Sequence, residues 1–300
     1  MFEVGGERSS LYFPPVDDLR IPVPDGHINV WHRPAGPGEP TAVLIHGLTG
    51  NSRWWARVID HLPPGLGLLA VDVRGRGGSR DAPPPYDLTT IAHDVATCLD
   101  HVGEERAIVA GYSMGAWIAA IFGRHHPDRT PRLVLIDGGL PVPAPPGRTP
   151  QEIIDAVVGP SLTRLEMQFA DVEAYLEYWK AHPALSAYWE EEMGPMLAHE
   201  LIAVEGGVAP QANGEAIAIA GAEISADAEA NEAAAGTSVP TLLVVVERGT
   251  MDQPGGMTPR ADAEAAALAN PNLTVEYLAD LNHYTLMLGK GAARVAATLA

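Results

Sequence analysis

One stretch limits the folds open to this chain more than any other. An apolar run at residues 107–110 leads into Gly111-Tyr-Ser-Met-Gly115, and a helix-forming segment follows at 116–123. A buried strand that turns at once into a helix pushes the residue at the turn out of the backbone. Glycines two before and two after Ser113 leave no side chain to obstruct a cramped turn, so the spacing predicts that Ser113 Oγ stands exposed above a sheet.

The flanking sequence repeats this rhythm. Residues 19–23 and 27–32 read as strands joined by the Pro24-Asp25-Gly26 turn, and 41–45 is a short apolar strand ending at His46-Gly47. A helix is predicted over 54–61 and a buried strand over 67–73. Apolar positions 88, 91, 95, 98, 99 and 102 form a helical stripe. Further strands are expected at 132–136, 240–246 and 273–278, with a helix at 259–269. Strands alternating with helices of this length predict an α/β fold: a mostly parallel eight-stranded sheet covered by helices on both faces. Residues 138–236 break the pattern with a Pro/Gly-rich start, aromatic and methionine-bearing helical segments, and an alanine-rich acidic stretch at 215–235. The expected organisation is a core of 1–137 and 237–300 with a helical insertion at 138–236.

Composition narrows the function. The net charge is −19, and 149–236 carries sixteen acidic against two basic residues. Phosphate backbones are repelled by such a surface, so nucleic-acid binding is excluded and a solvated acidic face is expected. No window holds the roughly 18 uninterrupted apolar residues of a membrane span. The start, MFEVGGERSS, has no basic region followed by an apolar one, and a single cysteine, Cys98, cannot form an internal disulfide. A cytoplasmic protein acting on a small molecule is expected, with Cys98 a core residue; the oligomeric state is left open.

A serine hydroxyl needs an adjacent base to take its proton and a third group to orient that base. In strand–elbow–helix architectures the order is serine, acid, histidine. His283, just past the last strand, is the expected base. Asp252, in the loop after the seventh strand, is the expected acid; Asp137, ending the strand before the insertion, is the rival, and Glu247 falls too early. The backbone amides of Met114 and Leu48 are the expected donors to an oxyanion. His46 is read as a residue holding the Leu48 loop. Trp54, Trp55, Tyr178, Trp179, Tyr188, Trp189 and Tyr284 are candidates for the pocket wall, and Trp117 for the core.

Together, His46-Gly47, Asp72-Val-Arg-Gly-Arg-Gly-Gly-Ser79, Gly111-Tyr-Ser-Met-Gly115, Gly249-Thr-Met-Asp252 and Asn282-His283 resemble the α/β-hydrolase superfamily over about residues 17–300. The resemblance implies the α/β-hydrolase fold with an inserted helical cap at 138–236 roofing the pocket. It also implies that 72–79 is a structural turn, making Arg74 and Arg76 scaffold. Epoxide hydrolases and haloalkane dehalogenases of the superfamily carry Asp where Ser113 stands, which argues against both. HGLTG in place of HGGPG weakens an iminopeptidase reading, and Tyr284 in place of Trp lowers carbon–carbon hydrolysis.

The leading expectation is a serine hydrolase cleaving a small carboxylic ester or lactone through an acyl-enzyme, with no metal and no organic cofactor. The same residues would also serve carbon–carbon bond hydrolysis, perhydrolysis or acyl transfer. A low-turnover ligand-binding module is the alternative outside catalysis.

Overall fold

Runs of four or five apolar residues are too short for helices and form strands, while the longer amphipathic runs between them form helices. The computed structural model describes residues 16–24, 26–142, 147 and 150–300. Its strands are β1 (Asp17–Val23), β2 (Gly26–Arg33), β3 (Thr41–Ile45), β4 (Gly67–Val71), β5 (Ile108–Tyr112), β6 (Leu133–Ile136), β7 (Leu201–Val204), β8 (Gly207–Pro210), β9 (Thr241–Arg248) and β10 (Leu273–Asn282). Its helices are α1 (Ala56–Ile59), α2 (Leu88–Val102), α3 (Met114–His125), α4 (Pro150–Leu165), α5 (Val172–Lys180), α6 (Met193–Ala198), α7 (Gly214–Ala226), α8 (Ala228–Ala233), α9 (Arg260–Ala269) and α10 (Gly289–Ala297).

Eight strands form one sheet in the order β1-β2-β4-β3-β5-β6-β9-β10. β2 is antiparallel to both β1 and β4, and every pairing from β4 to β10 is parallel. Alternate residues serve opposite faces. Val43 and Ile45 pack with the α2 and α3 layer, whereas Ala42 and Leu44 pack with Trp54, Trp55 and the apolar side of α10. Cys98 is buried on α2, where desolvation raises its thiol. Arg74 is the expected scaffold: it is buried and forms a two-pronged ion pair with Asp94 of α2. The helix expected over 54–61 is shorter, a 3-10 turn at Ser52–Trp55 followed by α1. Prolines at 63 and 64 stop its extension.

The chain leaves the sheet between β6 and β9, but the excursion is not wholly helical. β7 and β8 make an antiparallel hairpin, turned at Gly206 with φ 82°. Nor is the excursion one layer. Ala220, Ile224, Ala230, Ala233 and Ala234 share an apolar layer with α2 and α3. Alanines let these helices approach closely, so the alanine-rich stretch extends the core. Its acidic residues also bond there: Glu223 accepts from Leu88 N (2.7 Å), and Glu229 meets His125 Nε2 (2.6 Å). This core-packed stretch begins at α7, which Asn213 caps through its side chain. Among the described residues no helix is long and apolar enough to cross a membrane.

The tightest approach is at the turn after β5. A Cβ on Gly111 would lie 1.9 Å from the Gly115 carbonyl oxygen, and one on Gly115 would lie 2.2 Å from that of Ile45. Backbone oxygens cannot step aside as a flexible side chain could. Gly111→Ala is expected to cost about 3 kcal/mol or more, seen as loss of soluble protein or a lowered Tm. An unchanged Tm would contradict this packing.

Candidate active site

The turn holds Ser113 at φ 55° and ψ −125°, a conformation unusual for a residue with a Cβ. It persists because both sides are fixed: Ser113 N donates to the Ile136 carbonyl (2.8 Å), and Ala116 N donates to the Ser113 carbonyl (2.9 Å). Met114 opens α3, so its amide lies at the positive end of a helix dipole. The loop after β3 lies against the same turn: a Cβ on Gly47 would be 3.5 Å from Ser113 Oγ.

That loop is pinned by His46. Its Nδ1 donates to the Gly47 carbonyl (2.7 Å), and its Nε2 accepts from Val73 N (3.1 Å). An imidazole donating on one side and accepting on the other is neutral, and burial pushes His46 down to about 4. Because a trans peptide points C=O and N–H in opposite directions, fixing the Gly47 oxygen also fixes the direction of Leu48 N–H.

His283 follows β10 and is brought next to the turn by Tyr112, whose hydroxyl donates to the His283 carbonyl (2.9 Å) with ring centroids 5.0 Å apart. Its Nδ1 donates to Asp137 Oδ2 at 2.6 Å, which leaves Nε2 with the free lone pair. Asp137 is completely buried, and among the described residues its Oδ1 has no hydrogen-bond partner. The acid on the histidine is thus Asp137 and not the expected Asp252. Asp252 is instead taken by Arg248, through Nε (2.7 Å) and Nη2 (2.6 Å), and by Asn282 Nδ2 (2.9 Å). The Arg248 hydrogen bonds hold its carboxyl below the usual value. Asp252 follows β9, the neighbour of β10, but its carboxylate is already engaged, whereas Asp137 at the end of β6 has only His283 as a side-chain partner among the described residues.

The candidate wall residues divide. Trp54, Trp179 and Tyr284 come together, with Tyr284 at 5.9 Å from Trp54 and 5.7 Å from Trp179; Tyr178 stacks edge-on against Trp179. Trp55 is wholly buried in the layer beneath the sheet. Tyr188 is 38% exposed, and Trp189 faces Glu191 and Lys180 at the rim. These three are not brought to the wall.

The sequence reading missed several neighbours. His182 stacks 5.3 Å from both Trp179 and Tyr284, and is lowered by burial and by Arg164. Arg164 and Glu200 are a buried ion pair (3.0 Å) that shares Tyr175 and reaches the loop after β3, through Arg164 Nη2 to Thr49 Oγ1 (2.9 Å) and Trp54 Nε1 to Glu200 Oε1 (2.7 Å). A lone Arg and a lone Glu 36 residues apart leave no local signal of their pairing. Asn282, adjacent to the histidine, accepts from Tyr284 N and Thr285 N while donating to Asp252 and Ala184 O. Among the described residues no group of three or more His, Cys, Asp or Glu side chains is placed to hold a metal ion.

Two outcomes follow from this geometry. Asp137→Asn is expected to abolish the low-field Nδ1–H proton resonance of His283, while Asp252→Asn keeps it; the opposite pattern by NMR would reverse the pairing. The second concerns pH. The unfolded chain protonates His46 near 6.5 but the folded chain only near 4, so between those values the unfolded state binds more protons. Stability therefore falls as pH drops through that window. His46→Asn is expected to be less stable at neutral pH but to show a flatter decline, measured by denaturant titration at several pH values.

A model of the alpha/beta hydrolase fold family matches residues 40–288. Lipase LipV of Mycobacterium tuberculosis is 35% identical over 124 residues, covering 41% of this chain and 46% of its own. Soluble epoxide hydrolase of Corynebacterium sp. is 33% identical over 103 residues, covering 34% of this chain and 36% of its own. The chain thus matches less than half the length of these curated relatives. Among solved structures, E-2-(acetamidomethylene)succinate hydrolase superposes with a TM-score of 0.78 over 95% of this chain and 99% of its own, at 22% identity, a likeness of fold. With most of its length matched by the family model, its sheet order and its serine turn, this chain belongs to the alpha/beta hydrolase fold family.

Proposed function

We propose that the chain is a serine hydrolase that cleaves a small carboxylic ester or lactone through an acyl-enzyme. The observation that carries this reading is the buried His283–Asp137 pair, set beside a serine held at a strained turn. In the proposed sequence, His283 Nε2 takes the Ser113 proton as Oγ attacks the carbonyl. Asp137 stabilises the resulting imidazolium, and the proton passes to the leaving alcohol. Water then repeats the steps in reverse and releases the acid. The amides of Leu48 and Met114 receive the developing oxyanion.

The segment after β6 supplies the roof in this reading. Trp54, Trp179, His182 and Tyr284 give an aromatic wall suited to a compact acyl or alcohol group. LipV is named a lipase, and a Mycobacterium tuberculosis esterase is a structural neighbour at 21% identity and TM-score 0.69, which agrees with ester chemistry. The Corynebacterium relative is named an epoxide hydrolase; Ser113 at the elbow favours the acyl route here.

The test is a chain-length panel of activated esters and lactones, run beside variants. Ser113→Ala and Asp137→Ala are each expected to lower kcat by about 10⁴-fold, while Asp252→Asn lowers it by less than about tenfold. Full esterase activity in Ser113→Ala would overturn the proposal.

A further inference from the structure

Arg76 is completely buried and, among the described residues, bonds only to neutral groups. Its Nε donates to the Leu48 carbonyl (3.0 Å), its Nη1 to the Arg74 carbonyl (2.7 Å), and its Nη2 to the Ala216 carbonyl (3.2 Å) and Met114 Sδ (3.6 Å). Arg74, two residues earlier, has Asp94; among the described residues Arg76 has no carboxylate partner. An unpaired buried cation is costly, and burial pulls this one down to about 9. A scaffold role could be met by an apolar side chain at lower cost. The partners suggest a different use. Leu48 and Met114 are the two residues whose amides the proposed function assigns to the oxyanion, and Ala216 belongs to α7.

We propose that Arg76 is a positioning residue of the oxyanion hole, one that locks Leu48 and Met114 together and sets an uncompensated positive charge behind their amides. This rests on the serine hydrolase reading. His46 fixes the peptide before Leu48 through the Gly47 carbonyl, and Arg76 fixes the peptide after it through the Leu48 carbonyl. Both peptide planes around the donor are thereby held before substrate arrives, so no reorganisation is needed as charge develops. The cation acts on the transition state more than on the ground state. An ester carbonyl carries little net charge, whereas the tetrahedral intermediate carries a full negative one, in a water-poor site where the attraction is weakly screened. Loss of Arg76 should therefore appear in kcat and leave KM little changed.

The test uses the full chain, a p-nitrophenyl ester, and a fluorophosphonate that labels Ser113. Arg76→Met keeps the bulk and removes the charge. It is expected to lower kcat and the phosphonylation rate by about 30-fold or more, with KM within about threefold of wild type. Arg76→Lys supplies a readout that a merely structural role would not move. A buried lysine without an anion readily loses its proton, while the Arg76 guanidinium, pulled down only to about 9, keeps its charge through about pH 8. The ratio of Arg76→Lys to wild-type kcat is therefore expected to fall about tenfold or more between about pH 6 and pH 8. A folded Arg76→Met with kcat within about threefold of wild type would overturn the proposal. So would a pH-independent ratio for Arg76→Lys, which decides the matter if Arg76→Met does not fold. Wild type that is not labelled at Ser113 would instead sink the serine hydrolase reading, and this proposal with it.

Discussion

The rest of this structure depends on the contact between the first turn of α3 and the ends of β3 and β5. Gly111 and Gly115 let backbone meet backbone there, with carbonyl oxygens where side chains would otherwise stand. The approach sets the path of the turn, and the path sets the unusual dihedrals of Ser113. It also places the start of α3 beside the loop after β3, so Leu48 and Met114 become neighbours although 66 positions separate them. Strain at one residue is sustained by many ordinary contacts around it.

Around this contact the buried polar groups divide into two kinds. Some are matched in charge and hold elements together: Arg74 with Asp94 and Arg164 with Glu200. Others are left electrostatically unfinished. Among the described residues Asp137 has one oxygen on His283 and one without a partner, and Arg76 bonds only to carbonyls and a thioether. Asp137 and Arg76 both lie against the serine turn and the loop after β3, whereas the two matched pairs lie further out.

Much of the sheet was legible because parallel strands buried on both faces must be apolar along their length, and the runs at 42–45, 67–71 and 133–136 are. The serine turn was legible for a similar reason, since its glycines answer a local steric demand. The acid was not. Chain order admits both Asp137 and Asp252, and the choice depends on which side chains each carboxylate meets in space, which chain order does not record. Arg248, four residues before Asp252, was the available clue: a carboxylate with a ready cation is engaged before it can serve a histidine. The insertion misled differently. Its alanine-rich acidic stretch looks like a solvated face, yet small side chains are what let α7 and α8 settle on α3, while Glu223 and Glu229 bond to the core.

The Arg164–Glu200 ion pair has a consequence for how the segment after β6 meets the sheet. Arg164, Glu200 and Tyr175 all belong to the segment after β6; among the described residues, Thr49 and Trp54 are the side chains from the core side that hydrogen-bond to the pair. Separating the two parts at this seam would break the Thr49 and Trp54 hydrogen bonds and leave the charges still neutralising each other. Each group released, a hydroxyl and an indole N–H on one side and a guanidinium and a carboxylate on the other, can be met by water. Solvent can replace the hydrogen-bonded part of this seam, whereas the rings of Trp179 and Tyr284 and the apolar side chains of α5 and α6 that pack with the sheet have no such substitute.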